Sequence, residues 1–409
     1  MSNLTELDVK DKRASKGIDL TPDDESVLVM LGIDPLALKS TKMPRWKRTQ
    51  YRAVINWLTK YEPKLDSPNL EKIRGYLEAF HHLCEMEAWE TASKIFGIRL
   101  NTPTNQELQN QIGTWGYYRE LVELCNRLLG KVSSSWDALL LNNLGISYIA
   151  LGENTKSINY SHQSLALWQE MEYCIGQGTA LGNLGVAYKN LGDYTKAIEY
   201  QQQCLSIARE TQNREGELAA LGNLGVIYKH RRDYAQAINY HQQSLLLSRV
   251  IGSRKLEGTA LVNLGVICQK IREYSLAIEY HKQSLAIARE IEDRQGEGNA
   301  LANLGKTYLY LEDYAKAIDY SLQGLRIWRT VGDRYKEGIA LMNLGLAHYC
   351  QGSCSTAIDF YQQSLAIARE IQDCEGQEKN LVCIVNTYHI LGNYDKASEF
   401  DQQYLELCT

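Results

Sequence analysis

Proline is nearly missing from this sequence: there are six in 409 residues, all at or before Pro103. Nothing downstream removes a backbone N–H or clashes with a preceding turn, so long helices are open to the rest of the chain. Long hydrophobic runs are also lacking. No stretch approaches the ~18–20 apolar residues that span a bilayer, and MSNLTELDVKDKRASK lacks the apolar core of a secretion signal. Stable membrane insertion is therefore not expected. Nor is there an excess of positive charge. Lys+Arg number 44 against 49 Asp+Glu, for a net charge of −5 and a pI near 6.0, which argues against nucleic acid as partner. The ten cysteines follow no disulfide plan; Cys204, Cys268 and Cys383 replace Ser, Tyr or Asn of equivalent stretches. They read as buried or half-buried free thiols, and a reducing cytoplasm is the expected setting.

What is there is repetition. LNNLGISY at 141 returns as LGNLGVAY at 181, LGNLGVIY at 221 and LVNLGVIC at 261, then as LANLGKTY at 301, LMNLGLAH at 341 and LVCIVNTY at 381. The period is 40 residues with no slip over seven copies. A second phrase keeps the register, from DYTKAIEY at 193 to NYDKASEF at 393. Each unit reads as two helices, so the fold expected is all-α, an α-solenoid. In the second copy the first helix is expected over about 178–190, with Leu181, Leu184, Gly185 and Tyr188 on one face. Gly192 and Asp193 stop it and start the second, over about 194–211, whose apolar side carries Ala197, Tyr200, Cys204, Leu205 and Ala208. Gly185 and Ala197 are expected to let helix backbones approach closely, and residues 212–217 to close the unit as a loop.

Four segments are expected. Residues 1–25 form a polar disordered tail, 26–64 a helical segment, 65–135 divergent N-terminal repeats and 136–409 seven repeats of 40. The divergent part rests on Tyr76, Ala79, Phe80, Leu83, Trp89 and Ala92, then on Tyr117, Tyr118 and Leu121. In 26–64 a stripe of Trp46, Val54, Trp57, Leu58 and Tyr61 accompanies Lys39, Lys42, Arg45, Lys47, Arg48 and Arg52. That basic run reads as a solvated or docked helix face, with an anionic surface as the functional alternative.

The set Leu181, Leu184-Gly185, Tyr188, Gly192, Tyr194, Ala197 and Cys204-Leu205 resembles the tetratricopeptide repeat pattern. The 40-residue length and the Ala288-Arg289-Glu290, Asp293-Arg294, Gly296-Glu297 connector resemble the longer variant of Pins/LGN-type and kinesin-light-chain-type adaptors. The N-terminal region is similar to that of multi-repeat bacterial, cyanobacterial-type members. The resemblance implies a right-handed superhelix of antiparallel helix pairs and scaffold or adaptor work. It also implies that the first helices line a concave groove that takes a protein or peptide partner.

No catalytic constellation, cofactor loop or metal cluster emerges, and an enzyme is not expected. His81 and His82 point apart on a helix. His241 and His281 recur one repeat apart with no thiolate or carboxylate pattern nearby, and read as surface or groove-edge residues. The informative slots lie opposite the packed face. One holds Asn143, Asn183, Asn223, Asn263, Asn303 and Asn343; another holds Val186, Val226, Val266 and Lys306; Asn190, His230 and Lys270 follow a turn later. Amides can bond a peptide backbone while small apolar pockets take side chains. The same ladder could instead tie adjacent first helices together, and both roles stay open. Lys189 and Lys229 join these cations in a basic rim that favours an acidic or C-terminal segment, although cations at helix C-termini are favoured anyway. The functional alternative is a regulatory or sensor protein whose residues 1–64 act as effector or autoinhibitory element.

Overall fold

The computed structural model describes residues 20–408, apart from residues 23, 41, 65 and 103. Most of the tail expected over 1–25 lies outside the described residues. The chain divides into two compact units, up to Asn213 and from Arg214 onward. Both are helical. Among the described residues there is no strand, only an isolated bridge between Arg99 and Glu107.

In the first unit α1 (Asp24–Leu31) and α2 (Ala37–Ser40) precede α3 (Arg45–Lys60) and α4 (Asn69–Lys72). Two short pairs follow, α5 (Arg74–Glu85) with α6 (Trp89–Phe96) and α7 (Leu108–Thr114) with α8 (Tyr118–Leu128). Two full-length pairs close the unit: α9 (Ser134–Ala150) with α10 (Asn154–Glu170), and α11 (Cys174–Asn190) with α12 (Tyr194–Glu210). Val54 and Leu58 of α3 are buried, but Trp46 of the same expected stripe is 56% exposed. The face of Trp57 instead receives the Arg74 guanidinium at 5.9 Å.

The second unit is five pairs of one pattern: α13 (Arg214–His230), α14 (Tyr234–Val250), α15 (Arg254–Lys270), α16 (Tyr274–Glu290), α17 (Arg294–Tyr310), α18 (Tyr314–Val331), α19 (Arg334–Cys350), α20 (Cys354–Glu370), α21 (Cys374–Ile390) and α22 (Tyr394–Cys408). With α9 to α12 this makes fourteen helices in seven pairs. Consecutive helices pack on one another within each unit, and every first helix also touches the next first helix of its unit.

The repeated residues explain the pairing. Leu184, Leu224, Leu264, Leu304 and Leu344 are sealed from solvent, as are Ala197, Ala237, Ala277 and Ala357. Beside the turn of six of the seven hairpins a first-helix ring stacks on a second-helix ring, as Tyr148 on Tyr160 at 5.4 Å, Tyr228 on Tyr240 at 5.4 Å and Tyr308 on Tyr320 at 5.4 Å, while Cys268 takes the ring's place in the α15–α16 hairpin. Such pairs contribute ~0.5–1.5 kcal/mol beyond their burial. Lys156, Lys196 and Lys316 lie about 5 Å over the first-helix ring of their own repeats. Asp193, Asp233 and Asp313 each accept the N–H three residues on, capping the second helix.

Two local readings need correcting. The expected loop 212–217 is a short turn, and the next helix already begins at Arg214. In the preceding repeat the residue equivalent to Gly216, Gly176, answers a close approach: a Cβ there would sit 2.4 Å from the Trp168 ring. Gly185 does not serve backbone contact either. Its missing Cβ makes room for Gln201, as Gly225 and Gly265 do for His241 and His281 and Gly345 for Tyr361.

Candidate functional site: the face of the first helices

In the first unit the amides are occupied. Asn143 is 6% exposed and its Nδ2 donates to Gln109 Oε1 at 2.8 Å. Asn183 Nδ2 donates to Asn142 Oδ1 at 2.7 Å, tying α11 to α9. Asn190 donates to Asn154 Oδ1 at 3.0 Å. Val186 is half-buried, and burial pushes the half-buried Lys189 ammonium's pKa down.

In the second unit the amides are idle or bond their own helix. Asn223, Asn263 and Asn343 are half-exposed, and no side-chain hydrogen bond from them occurs among the described residues. Asn303 Nδ2 donates to its own helix, at Asn299 O, 3.0 Å away. The neighbouring Gln269 donates to Asn303 O at 3.0 Å and to Thr307 Oγ1 at 2.5 Å, so this link runs through a residue outside the ladder. Val226 and Val266 are half-buried beside the amides, while His230, Lys270 and Lys306 are exposed at the helix ends or on the face. Lys229 is half-buried.

Each unit has a hollow on this face. The first-unit hollow, about 410 Å³, lies between α9 and α11 against Trp168 and is lined by Trp136, Leu139, Tyr173, Ile175 and Thr179 among others. The second-unit hollow, about 380 Å³, runs across α17, α19 and α21. Asn299, Asn303, Lys306, Lys336, Asn343, Lys379 and Asn380 line it, with Trp328 and Tyr335. Three of these, Asn303, Lys306 and Asn343, are site residues expected from the sequence. Asn299, Lys336, Lys379 and Asn380 were missed because they break the repeat rather than follow it; departures from the repeated residue were the signal available.

His241 and His281 do not sit at a surface or groove edge. They are 1% and 0% exposed, packed against Gly225 and Gly265, and neither ring nitrogen of either has a hydrogen-bond partner. Burial is the main cause that lowers both pKa values to about 4, with Lys229 adding repulsion at His241. These are core imidazoles kept neutral by burial, each ring occupying the space that its glycine leaves open.

A second buried polar ladder lies at the start of the first helices. Glu257, Glu297 and Glu337 are 5–7% exposed. Glu257 is gripped by Arg249 at 2.8 Å and Arg254 at 2.5 Å, Glu297 by Arg289 at 2.8 Å and Arg294 at 3.0 Å, Glu337 by Arg329 at 2.8 Å and Arg334 at 2.5 Å. Burial alone would raise the Glu257 and Glu297 carboxyls, but the paired guanidiniums outweigh it and hold both below the usual carboxylate range. Arg254 and Arg334 also pair with Glu290 and Glu370. Where Cys174 and Cys374 replace the arginine, Gln177 and Gln377 replace the glutamate, so no charge is buried alone. This clamp is structural, and it is the meaning of the connector that resembled adaptor repeats. Cys204 and Cys268 are buried and Cys383 half-buried, all as free thiols.

Among the described residues no cluster of His, Cys, Asp and Glu could hold a metal, and no helix is long and apolar enough to cross a membrane.

A tetratricopeptide repeat model matches residues 136–210, 216–290, 256–330 and 296–370, more than half of the chain. No curated protein matches it in sequence. Solved structures share the fold at low identity. A signal transduction ATPase with numerous domains from Pyrococcus horikoshii, which carries a tetratricopeptide repeat sensor, is 14% identical at a TM-score of 0.61. The match covers 99% of this chain and 66% of that one, so the chain spans just under two thirds of that protein's length. The apo quorum sensor NprR from B. thuringiensis is 14% identical at a TM-score of 0.56, with 99% of both chains covered. A Rap protein complexed with Competence and Sporulation Factor is 14% identical at a TM-score of 0.53, covering 94% of this chain and 98% of that one.

Proposed function

From the premise that the chain belongs to the tetratricopeptide repeat family, we propose that it is a binding protein that takes an extended or helical segment of a protein or peptide partner along its first helices. The observation that carries this reading is the row of Asn263, Asn303 and Asn343, half-exposed on one face with donors and acceptors not committed to neighbouring helices. Amides that do not tie neighbouring helices together suit a peptide main chain, which offers an N–H and a C=O at each residue. Val226 and Val266 beside them provide shallow apolar contact, and the cations Lys270 and Lys306 bias the face toward acidic segments. The likeness to a quorum sensor and to a Rap protein solved with Competence and Sporulation Factor supports a ligand-responsive role.

The test is a peptide selected from a random display library on the full chain. Its affinity is then measured against an Asn223→Ala, Asn263→Ala double variant. Each lost hydrogen bond is worth ~0.5–1.5 kcal/mol, so affinity should fall about ten- to a hundredfold while the thermal midpoint hardly moves. A sharp fall in midpoint with unchanged affinity would make these amides structural links and remove the basis of the reading.

A further inference from the structure

From Pro35 to Tyr61 the chain carries seven cations and no acid, against a net charge of −5 for the whole. α3 turns a face of one sign outward. Its exposed residues are Arg45, Trp46, Thr49, Arg52, Asn56 and Lys60. At ~100° per residue these fall within an arc of about 120°, and the three cations run along ~22 Å of it. Exposed faces elsewhere mix their signs: that of α12 sets Lys196 and Arg209 beside Glu199 and Glu210.

Arg45, Arg52 and Lys60 pair with no carboxylate among the described residues. Glu71 reaches the end of α3, where its Oε1 accepts from the Tyr61 hydroxyl at 2.7 Å, but Arg74 already meets that carboxylate at 3.3 Å. The stripe is thus left without an anion from the chain itself.

The opposite face of α3 is fixed. Val54 and Leu58 are buried in one core with Val27, Leu28 and Leu31 of α1, so the helix cannot roll and the stripe stays outward. Apolar groups nonetheless stand where the stripe begins. Trp46 in the first turn is 56% exposed, and Leu36, in the segment leading into α3, is 76% exposed. At the far end Asn56 and Lys60 share a hollow of about 310 Å³ with Ala53, Trp57 and Tyr61, a recess beside the Lys60 ammonium.

We infer that this face docks the protein reversibly on an anionic lipid bilayer, with Arg45, Arg52 and Lys60 over the headgroups and Trp46 at the boundary between headgroups and acyl chains. A plane of lipid phosphates can meet a straight cationic stripe along its whole length. A nucleic-acid duplex also presents phosphates, but it calls for no exposed indole or leucine, and those side chains suit the bilayer interface. Because the apolar face of α3 is already spent on the core, attachment is electrostatic and is screened by salt. The inference stands apart from the reading of the first-helix face and involves none of its residues.

The test is flotation of the full chain with vesicles of phosphatidylcholine containing phosphatidylserine, beside vesicles of phosphatidylcholine alone. The chain should float with the anionic vesicles only, and should be released as salt rises from ~0.1 M to ~1 M. Each cation near the surface is worth about a fivefold change in partition. Arg45→Gln with Arg52→Gln should therefore weaken binding about 20- to 30-fold, with the thermal midpoint unchanged because both side chains are exposed and unpaired. Lys282→Gln with Arg326→Gln, which removes the same charge from exposed positions of α16 and α18, should leave binding within about twofold. Lipids brominated on their acyl chains should quench part of the tryptophan emission, and Trp46→Phe should remove that part. The inference is overturned if the chain does not float with anionic vesicles, floats equally with neutral ones, or floats undiminished as the Arg45→Gln, Arg52→Gln variant. Binding to duplex DNA in place of vesicles would be the first of these results, and would assign the face to a phosphate backbone instead.

Discussion

Trp168 and Trp328 stand four repeats apart in the same slot, and each forms the back of a hollow on the first-helix face of its unit. Around Trp168 the equivalent positions are Leu139, Ile175 and Gly176; around Trp328 they are Asn299, Tyr335 and Lys336. One hollow is largely apolar with a glycine in its wall, the other polar and cationic. The amides divide the same way. Asn143 and Asn183 of the first unit are spent on Gln109 and Asn142, while their second-unit counterparts form no bond to a neighbouring helix. A repeated residue therefore need not have a repeated role: what surrounds each copy decides whether its hydrogen bonds hold the fold or remain free for a ligand.

The largest difference between the units should appear in acid. The slot above the repeated glycine holds Ser161 and Gln201 in the first unit, but in the second it holds His241 and His281, followed by Ser321 and Tyr361. Both folded pKa values are near 4, below the ~6.5 of an unfolded imidazole. The unfolded chain therefore takes up protons first, and the stability these groups contribute is complete above about pH 6.5 and lost as pH falls toward 4. The loss is on the order of 3 kcal/mol per histidine. Hydrogen exchange between pH 7 and 4.5 should rise across α13 to α16 well before α9 to α12. His241→Gln with His281→Gln should remove the difference.

Next in size are the glycines. Gly176→Leu would drive a side chain into Trp168, and Gly265→Leu into His281, each from a would-be Cβ contact of 2.4 Å. Each should cost ~1–3 kcal/mol or more. Because repeats couple to their neighbours, exchange should rise around the substituted pair only; a uniform rise over all seven pairs would contradict nearest-neighbour coupling.

The smallest effect concerns the turns between paired helices. The first unit places Gly152 and Gly192 there at φ +79° and +81°, and the second unit does the same with Gly352 and Gly392, but its first three turns place Arg232, Arg272 and Glu312 at φ +60° to +65°. Left-handed backbone costs a non-glycine residue ~1 kcal/mol. Arg272→Gly should therefore stabilise the second unit by up to ~1 kcal/mol, read as a rise in urea midpoint, while Gly192→Arg should do the reverse in the first.

Much of this molecule was legible in its sequence. The slip-free period gave the helix pairs from residue 134 on, and the Leu-Gly and Tyr slots gave their packed faces. The pairs near 70–100 and 105–130 could be placed from a few aromatic and small residues. What was not legible depended on contacts between repeats. An Asn midway along one helix reads alike whether Asn142 or open space lies opposite. The histidines looked peripheral because the glycine that receives each ring lies 16 residues away in the partner helix. The Arg–Glu clamps were hidden in a connector that looked like a loop. Lys336 and Asn380 depart from the Gly and Ala of their slots, so the repeated pattern does not point to them.

On the proposed function the amide ladder is structural in the first unit and ligand-binding in the second. One paired measurement addresses it: thermal midpoint and affinity for a library-selected peptide, for Asn143→Ala with Asn183→Ala and for Asn303→Ala with Asn343→Ala. The first pair should lower the midpoint, with ~1–3 kcal/mol lost where a buried partner is orphaned, and leave affinity within about twofold. The second pair should leave the midpoint nearly unchanged and weaken binding by about ten- to a hundredfold. If both pairs lower the midpoint and neither changes affinity, the ladder is structural throughout and the claim is wrong.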